Sequence, residues 1–166
     1  MPTYRVTWEI DVDAATPYFA ALTAQNIQRD PTSTATHFAV AENFDADGRC
    51  HRVYDVDLAK PPFFITHNSE PQFSTIGSSF VDEIECDYTT LCRIFGEPME
   101  GDGYKVSAEW DIRFEDGTIA TIYDWKTCPT YCGHDGVPPE NNTSWHIGGF
   151  NHRASDLVKL VLERSQ

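Results

Sequence analysis

No apolar run in this chain comes near the roughly 20 residues that a helix needs to cross a bilayer. No basic segment followed by an apolar core, the mark of a secretory leader, stands at its start. The two absences predict a cytoplasmic protein with no membrane partner. Positive charge is scarce, with 12 Lys and Arg against 26 Asp and Glu and a net charge of −14. Phosphate contacts need clustered Lys and Arg, and none cluster here, so direct binding to nucleic acid is not expected. Cysteines are few and odd in number. Cys50, Cys86, Cys92, Cys128 and Cys132 follow no framework spacing, which fits free thiols in a reducing compartment better than a disulfide scaffold. A P-loop lysine, a nucleophile elbow and a usual zinc-binding spacing are also missing, and no cofactor is expected.

What the chain does have is acid, spread along its whole length. Residues 1–83 carry twelve acids against five bases and residues 84–166 fourteen against seven, so each half has the same excess. Such a surface either serves solubility alone or competes for a basic groove on a partner.

Pattern, propensity and turn chemistry agree best over residues 104–126, YKVSAEWDIRFEDGTIATIYDWK. Val106, Ala108, Trp110, Ile112 and Phe114 are apolar at every second place, with polar residues between them, the period of a half-buried strand. Asp116-Gly117 supplies a hairpin turn, and Ile119, Ile122, Tyr123 and Trp125 continue the apolar surface. In the first arm Trp110, Ile112 and Phe114 are expected on the inner face, as is Trp8 of the opening strand. Glu109, Asp111 and Glu115 then fall on the opposite face at a spacing of about 7 Å.

Before the hairpin, residues 3–13 alternate as a strand. Thr16-Pro17 opens a short helix that Asp30-Pro31 closes. Residues 37–40 and 50–58 read as two more strands around the turn signal Asp45-Ala46-Asp47-Gly48. Residues 59–79 hold Pro61, Pro62 and Pro71 and read as a linker or an ordered loop, whose Phe63, Phe64, Ile65 and Phe73 need something to pack against. Residues 80–86 suit a short strand, Asp87 caps a helix over 88–95 that Gly96 ends, and residues 127–144 form a loop. A strand at 145–149 leads through Asn151 to a last helix.

The expected fold class is α+β: a mainly antiparallel sheet with two or three short helices, a β-α-β-β unit followed by an α-β-β-β-α unit. Residues 1–58 form the first lobe and 80–166 the second, built on the 104–126 hairpin. A single compact domain fits the same pattern.

Three places offer chemistry. Cys128, Cys132, His134 and His146 are ligand types for zinc, with His152 beyond them, yet C-x3-C followed by one residue and His matches no usual zinc spacing. A nucleophile at Cys132 would need His146 as base and Asp135 behind it. The carboxylates Glu109, Asp111, Glu115 and Asp116 share or adjoin one strand face, where alternating acids are usually only solvated. Gly148-Gly149 before the last helix, with Trp145, His146, His152 and Arg153, is the densest mix of aromatic, polar and flexible residues. A pocket, if present, is expected there.

The runs FGEPMEGDGYKVSAEWDIRFEDGTIATIYDWK and WHIGGFNHRASDLV, and more loosely IQRDPTSTA near the start, resemble small uncharacterised proteins of bacteriophages and mobile elements, actinobacterial ones among them. The resemblance implies a protein that binds host or phage machinery, a defence or nucleic-acid-handling protein for example. The expected function is therefore non-catalytic binding, through Glu109, Asp111, Glu115, Trp145, His146 and Arg153, to a host or phage protein with a basic groove. The alternative is a small enzyme or a small-molecule or metal-binding protein using residues 128–153.

Overall fold

The computed structural model of this chain describes residues 3–44, 50–69 and 72–165. It is an α+β protein with antiparallel sheets, and it divides into two compact units, Met1–Lys60 and Pro61–Gln166. No helix among the described residues is long and apolar enough to cross a membrane.

The first unit runs β1 (Arg5–Thr7), α1 (Pro17–Arg29), β2 (His37–Phe44) and β3 (Cys50–Asp57), with the strands paired in the order β1-β2-β3. Helix α1 begins where the sequence predicts. Thr16 Oγ1 accepts from Phe19 N at 3.3 Å, and Pro17 sits in the first turn, where its missing N–H has no partner to lose. Asp30 ends it. The opening strand is much shorter than its alternation suggests, since only Arg5–Thr7 pairs with β2. Alternation marks a face that could be buried, whereas a partner strand and something packed on that face fix the ladder. In this unit no described side chain is buried, and Val6, Tyr18, Phe19 and Val53 are each more than half exposed. Trp8, expected on an inner face, is only half-buried. The turn expected at 45–48 lies outside the described residues.

The second unit contains β4 (Phe64–Thr66), β5 (Ser79–Glu85), α2 (Tyr88–Phe95), β6 (Met99–Glu100), β7 (Ala108–Phe114), β8 (Ile119–Tyr123), the one-turn helix α3 (Pro129–Cys132), β9 (Ser144–Gly149) and α4 (Arg153–Arg164). Its sheet has the order β4-β7-β8-β9-β5, with β6 beside β7. The expected α-β-β-β-α succession is α2-β7-β8-β9-α4. The stretch 59–79 is not simply a tether or loop: Phe64, Ile65 and Thr66 pair with Phe114, Arg113 and Ile112. The Phe64 ring lies 5.3 Å from that of Phe95 and 6.1 Å from that of Phe114. Three residues are too few for periodicity to reveal a strand.

Burial along β7 alternates without exception, even-numbered residues inside and odd-numbered ones half-exposed. The turn that follows is closed by Phe114 N donating to Thr118 O and Gly117 N donating to Phe114 O, both at 2.9 Å. Gly117 takes a φ of +84°, which explains the glycine there. On the inner face Trp110, Ile112, Ala120, Ile122, Trp145 and Ile147 pack against Leu91 and Phe95 of α2 and Ala154, Leu157, Val158 and Val161 of α4. Gly149 lets α4 turn straight back onto the sheet, because a Cβ there would collide with that of Ala154. At the start of β7 the fully buried Asp124 accepts from Ser107 N at 2.8 Å, Ala108 N at 2.9 Å and Ser107 Oγ at 2.6 Å.

Two substitutions test this core by urea unfolding. Trp110→Ala should cost about 3–5 kcal/mol, and a loss under about 1 kcal/mol would put Trp110 outside the core. Asp124→Ala strands two backbone donors and should cost roughly 2–4 kcal/mol.

Candidate functional site

The strands that bury Trp110 and Ile122 beneath α2 and α4 present a different set of side chains on the opposite face. Cross-strand register sets them in two rows. Glu109 stands opposite Tyr123, Tyr123 opposite His146, and His146 opposite Glu83; Asp111 stands opposite Thr121, Thr121 opposite Gly148, and Gly148 opposite Phe80. Aromatic rings line the first row, with Trp125 6.2 Å from Tyr123, Tyr123 5.6 Å from His146 and His146 4.8 Å from Phe80.

Between the rows lies a concavity of about 270 Å³, walled by Glu109, Thr121, Tyr123, Trp125 and Gly148, with Ser78, Ser79, Asp102 and Val106 completing the lining. Gly148 is part of its shape, since a Cβ at that position would overlap the Thr121 hydroxyl and come within 3.3 Å of the Tyr123 ring. A wider hollow of about 600 Å³ lies in the first unit, between residues 8–11 and Ala21, Ala24, Gln25 and Gln28 of α1. Its two acids, Glu9 and Asp11, are exposed, and the concavity at Glu109 is the better candidate on chemistry.

Acids dominate the electrostatics around Glu109. Burial lifts the Glu109 carboxyl above its ordinary range, and the charges of Asp111, Asp102 and Asp124 lift it further. Burial also raises Asp111, with His67 opposing, and one of its carboxylate oxygens is buried without a hydrogen bond. Tyr123 is raised by burial and then by Glu109. Desolvation and like charge both disfavour the ionised carboxylate, and a cation placed beside it would relieve both.

The residues named from the sequence do not all meet here. Glu109 and Asp111 lie on this face, but as half-buried groups rather than rungs of a solvated ladder. Glu115 does not continue them, because β7 ends at Phe114 and Glu115 lies exposed in the turn. Trp145 is no pocket residue: it is fully buried on the inner face, its indole N–H donating to Cys86 O at 2.9 Å. His146 is on the outer face, 3.4 Å from Glu83. Arg153 pairs with Asp116 at 3.2 Å, at the hairpin turn, which also gives Asp116 a structural partner.

The zinc candidates are separated as well. Cys128 is buried with Sγ 3.1 Å from Thr130 Oγ1, Cys132 Sγ donates to Lys126 O at 3.0 Å, and His134 is exposed in the turn Gly133–Asp135. Among the described residues no three His, Cys, Asp or Glu side chains converge as metal ligands would. Cys86, Cys92, Cys128 and Cys132 are free thiols; the side chain of Cys50 lies outside the described residues. Gly148, where the sequence placed a pocket, does line the concavity, whereas Thr121 was missed and Tyr123 was expected only as part of the hairpin's apolar surface. Their signal was present in the outward parity of Thr121 and Tyr123 on β8, once β8 is set opposite Glu109 and Asp111.

The raised Glu109 carboxyl has a stability consequence with a definite sign. A carboxyl whose folded pKa is raised favours the fold below its unfolded pKa, and that contribution is lost as pH rises through the folded value. Glu109→Gln should therefore raise stability near pH 7, by under about 1 kcal/mol for a half-buried group screened by solvent. The gain should vanish near pH 4. Urea unfolding of both proteins at the two pH values checks this, and an equal gain at both would remove charge as its source.

No protein-family model and no characterised protein matches this chain.

Proposed function

We propose that this is a non-catalytic binding protein that docks the outer face of its second unit's sheet onto a basic surface of a host or phage macromolecule and so modulates it. The observation that carries the reading is the half-buried carboxylate pair Glu109 and Asp111, raised by burial and, for Glu109, by neighbouring acids, beside a concavity with aromatic walls. Such a pair lowers stability, and functional surfaces are where that cost is commonly retained. The net charge of −14 favours fast encounter with a basic partner and steers against nucleic acid. The likeness of residues 95–126 and 145–158 to phage and mobile-element proteins supports the setting, a bacterial cytoplasm in which the partner is a defence or nucleic-acid-handling protein.

The face differs from a simple acidic ladder in its expected salt response. Exposed charges act through the screened, long-range part of association, whereas half-buried groups make short-range contacts that salt weakens less. Capture on immobilised protein from a bacterial host lysate, repeated at low and high salt, should recover a partner whose association slows with salt. The double substitution Glu109→Gln with Asp111→Asn should weaken binding about tenfold or more, about 1.4 kcal/mol, and leave the fold intact. Equal binding of parent and variant at both salt levels would remove this face from the contact.

A further inference from the structure

The concavity at Glu109 is small. At about 270 Å³ it falls just below the range of roughly 300–1,000 Å³ typical of pockets that engulf a whole small molecule, and suits a single side chain or a group of that size. Thr121 is 3% exposed, and among the described residues its hydroxyl has no hydrogen bond, although it lines the concavity next to Gly148. The hydroxyl opens onto the concavity rather than the packed interior, and it shares that space with the Glu109 carboxylate and the Tyr123 ring.

The sign of the missing ligand follows from the charges around it. The neighbouring charges that raise Glu109 are all acids, Asp111, Asp102 and Asp124. Lys105 and Lys126 lie 5.4 Å and 5.3 Å from the centre of the Trp125 ring, which forms one wall, but neither side chain itself lines the concavity. A cation is therefore favoured, and an anion is opposed.

We infer that this concavity is a socket for a guanidinium group, filled by an arginine side chain on the surface of a protein partner. The inference rests on the binding role proposed above and assigns the residue that the face would recognise. A guanidinium is planar, so it can lie against Tyr123 while two of its N–H groups meet the Glu109 carboxylate and a third meets the Thr121 hydroxyl. An ammonium is a compact point charge and cannot make that set of contacts together. Gly148 keeps the floor open, which explains why the position has no side chain.

The test uses the full chain and two small probes, N-acetyl-L-argininamide and N-acetyl-L-lysinamide, titrated while amide and side-chain NMR shifts are followed. The arginine probe should give saturable shifts confined to Glu109, Thr121, Tyr123, Trp125 and Gly148, with the lysine probe binding at least threefold more weakly. Glu109→Gln should weaken the arginine probe at least tenfold. Thr121→Val, which keeps the branched shape and removes the hydroxyl, should weaken it severalfold. Equal affinity for the two probes, equal affinity in Glu109→Gln, or non-saturating shifts spread over exposed acids such as Glu83 and Glu85 would overturn the socket. Salt-sensitive capture of a partner without saturable argininamide binding overturns the socket alone. A saturable, Glu109-dependent arginine site with no captured partner leaves the socket standing and removes the macromolecular reading.

Discussion

Two tryptophans hold helix α2 against the sheet, one at each end. The indole N–H of Trp145 donates to Cys86 O, immediately before the Asp87 cap, and that of Trp110 donates at 2.7 Å to Gly96 O, where the helix stops. The rings meet edge to face, 5.2 Å between centres, the arrangement that the ring quadrupoles prefer. Each indole thus fills the core with apolar area and satisfies a carbonyl that the helix ends would leave buried. The ends of α2 are set by this pair as much as by its own capping, in which Asp87 accepts from Thr90 N at 2.8 Å. Accepting from the Thr89 hydroxyl, the Thr90 hydroxyl and Thr90 N holds the Asp87 carboxyl down to about 2.

The same pair dictates what lies on the far side of the sheet. With Trp110 pointing inward, strand parity turns Glu109 and Asp111 outward; with Trp145 and Ile147 inward, His146 and Gly148 face the other way. A slip of one residue in either strand would exchange the two faces. The inner core therefore fixes the register of the outer rows, and the acids cannot turn away from one another without unseating a tryptophan. This is how a rigid core keeps an unfavourable group of charges together in the absence of a ligand.

Local chemistry made much of the second unit legible. Alternation over 106–114, the Asp116-Gly117 turn, the Asp87 cap with Gly96 eight residues after Tyr88, and the apolar stripe of the last helix each depend on neighbours close in sequence, and each is found. What stayed hidden depends on distant partners. Trp145 sits among polar and glycine residues, and only pairing with β5 and β8 shows that it faces inward. The edge strand Phe64–Thr66 follows two prolines and becomes a strand because β7 offers it an open edge. The concavity needs Thr121 opposite Gly148, a register made across the loop between β8 and β9 that no short window contains. In the first unit the difficulty is of another kind, since Tyr4, Val6 and Ile10 alternate as a buried face would yet are all exposed.

Charge distribution completes the account of the face. Acids spread over a surface repel weakly, because solvent and salt screen them, and most of the 26 acids in this chain need no other explanation than solubility. Glu109 and Asp111 differ in that the sheet and its loops have partly removed their solvent. Carboxylates that serve the fold here are recognisable by their donors: Asp124 has Ser107 and Ala108, Asp102 has the N–H groups of Tyr104, Lys105 and Val106, and Asp116 has Thr118 and Arg153. Those donors offset the cost of holding the charge in place. Glu109 shows no such donor among the described residues, and the buried oxygen of Asp111 shows none either. A carboxylate that is partly desolvated, crowded by its own sign and without a protein donor is held there by the strands on either side, and an arginine in the socket proposed above would supply the donors it lacks.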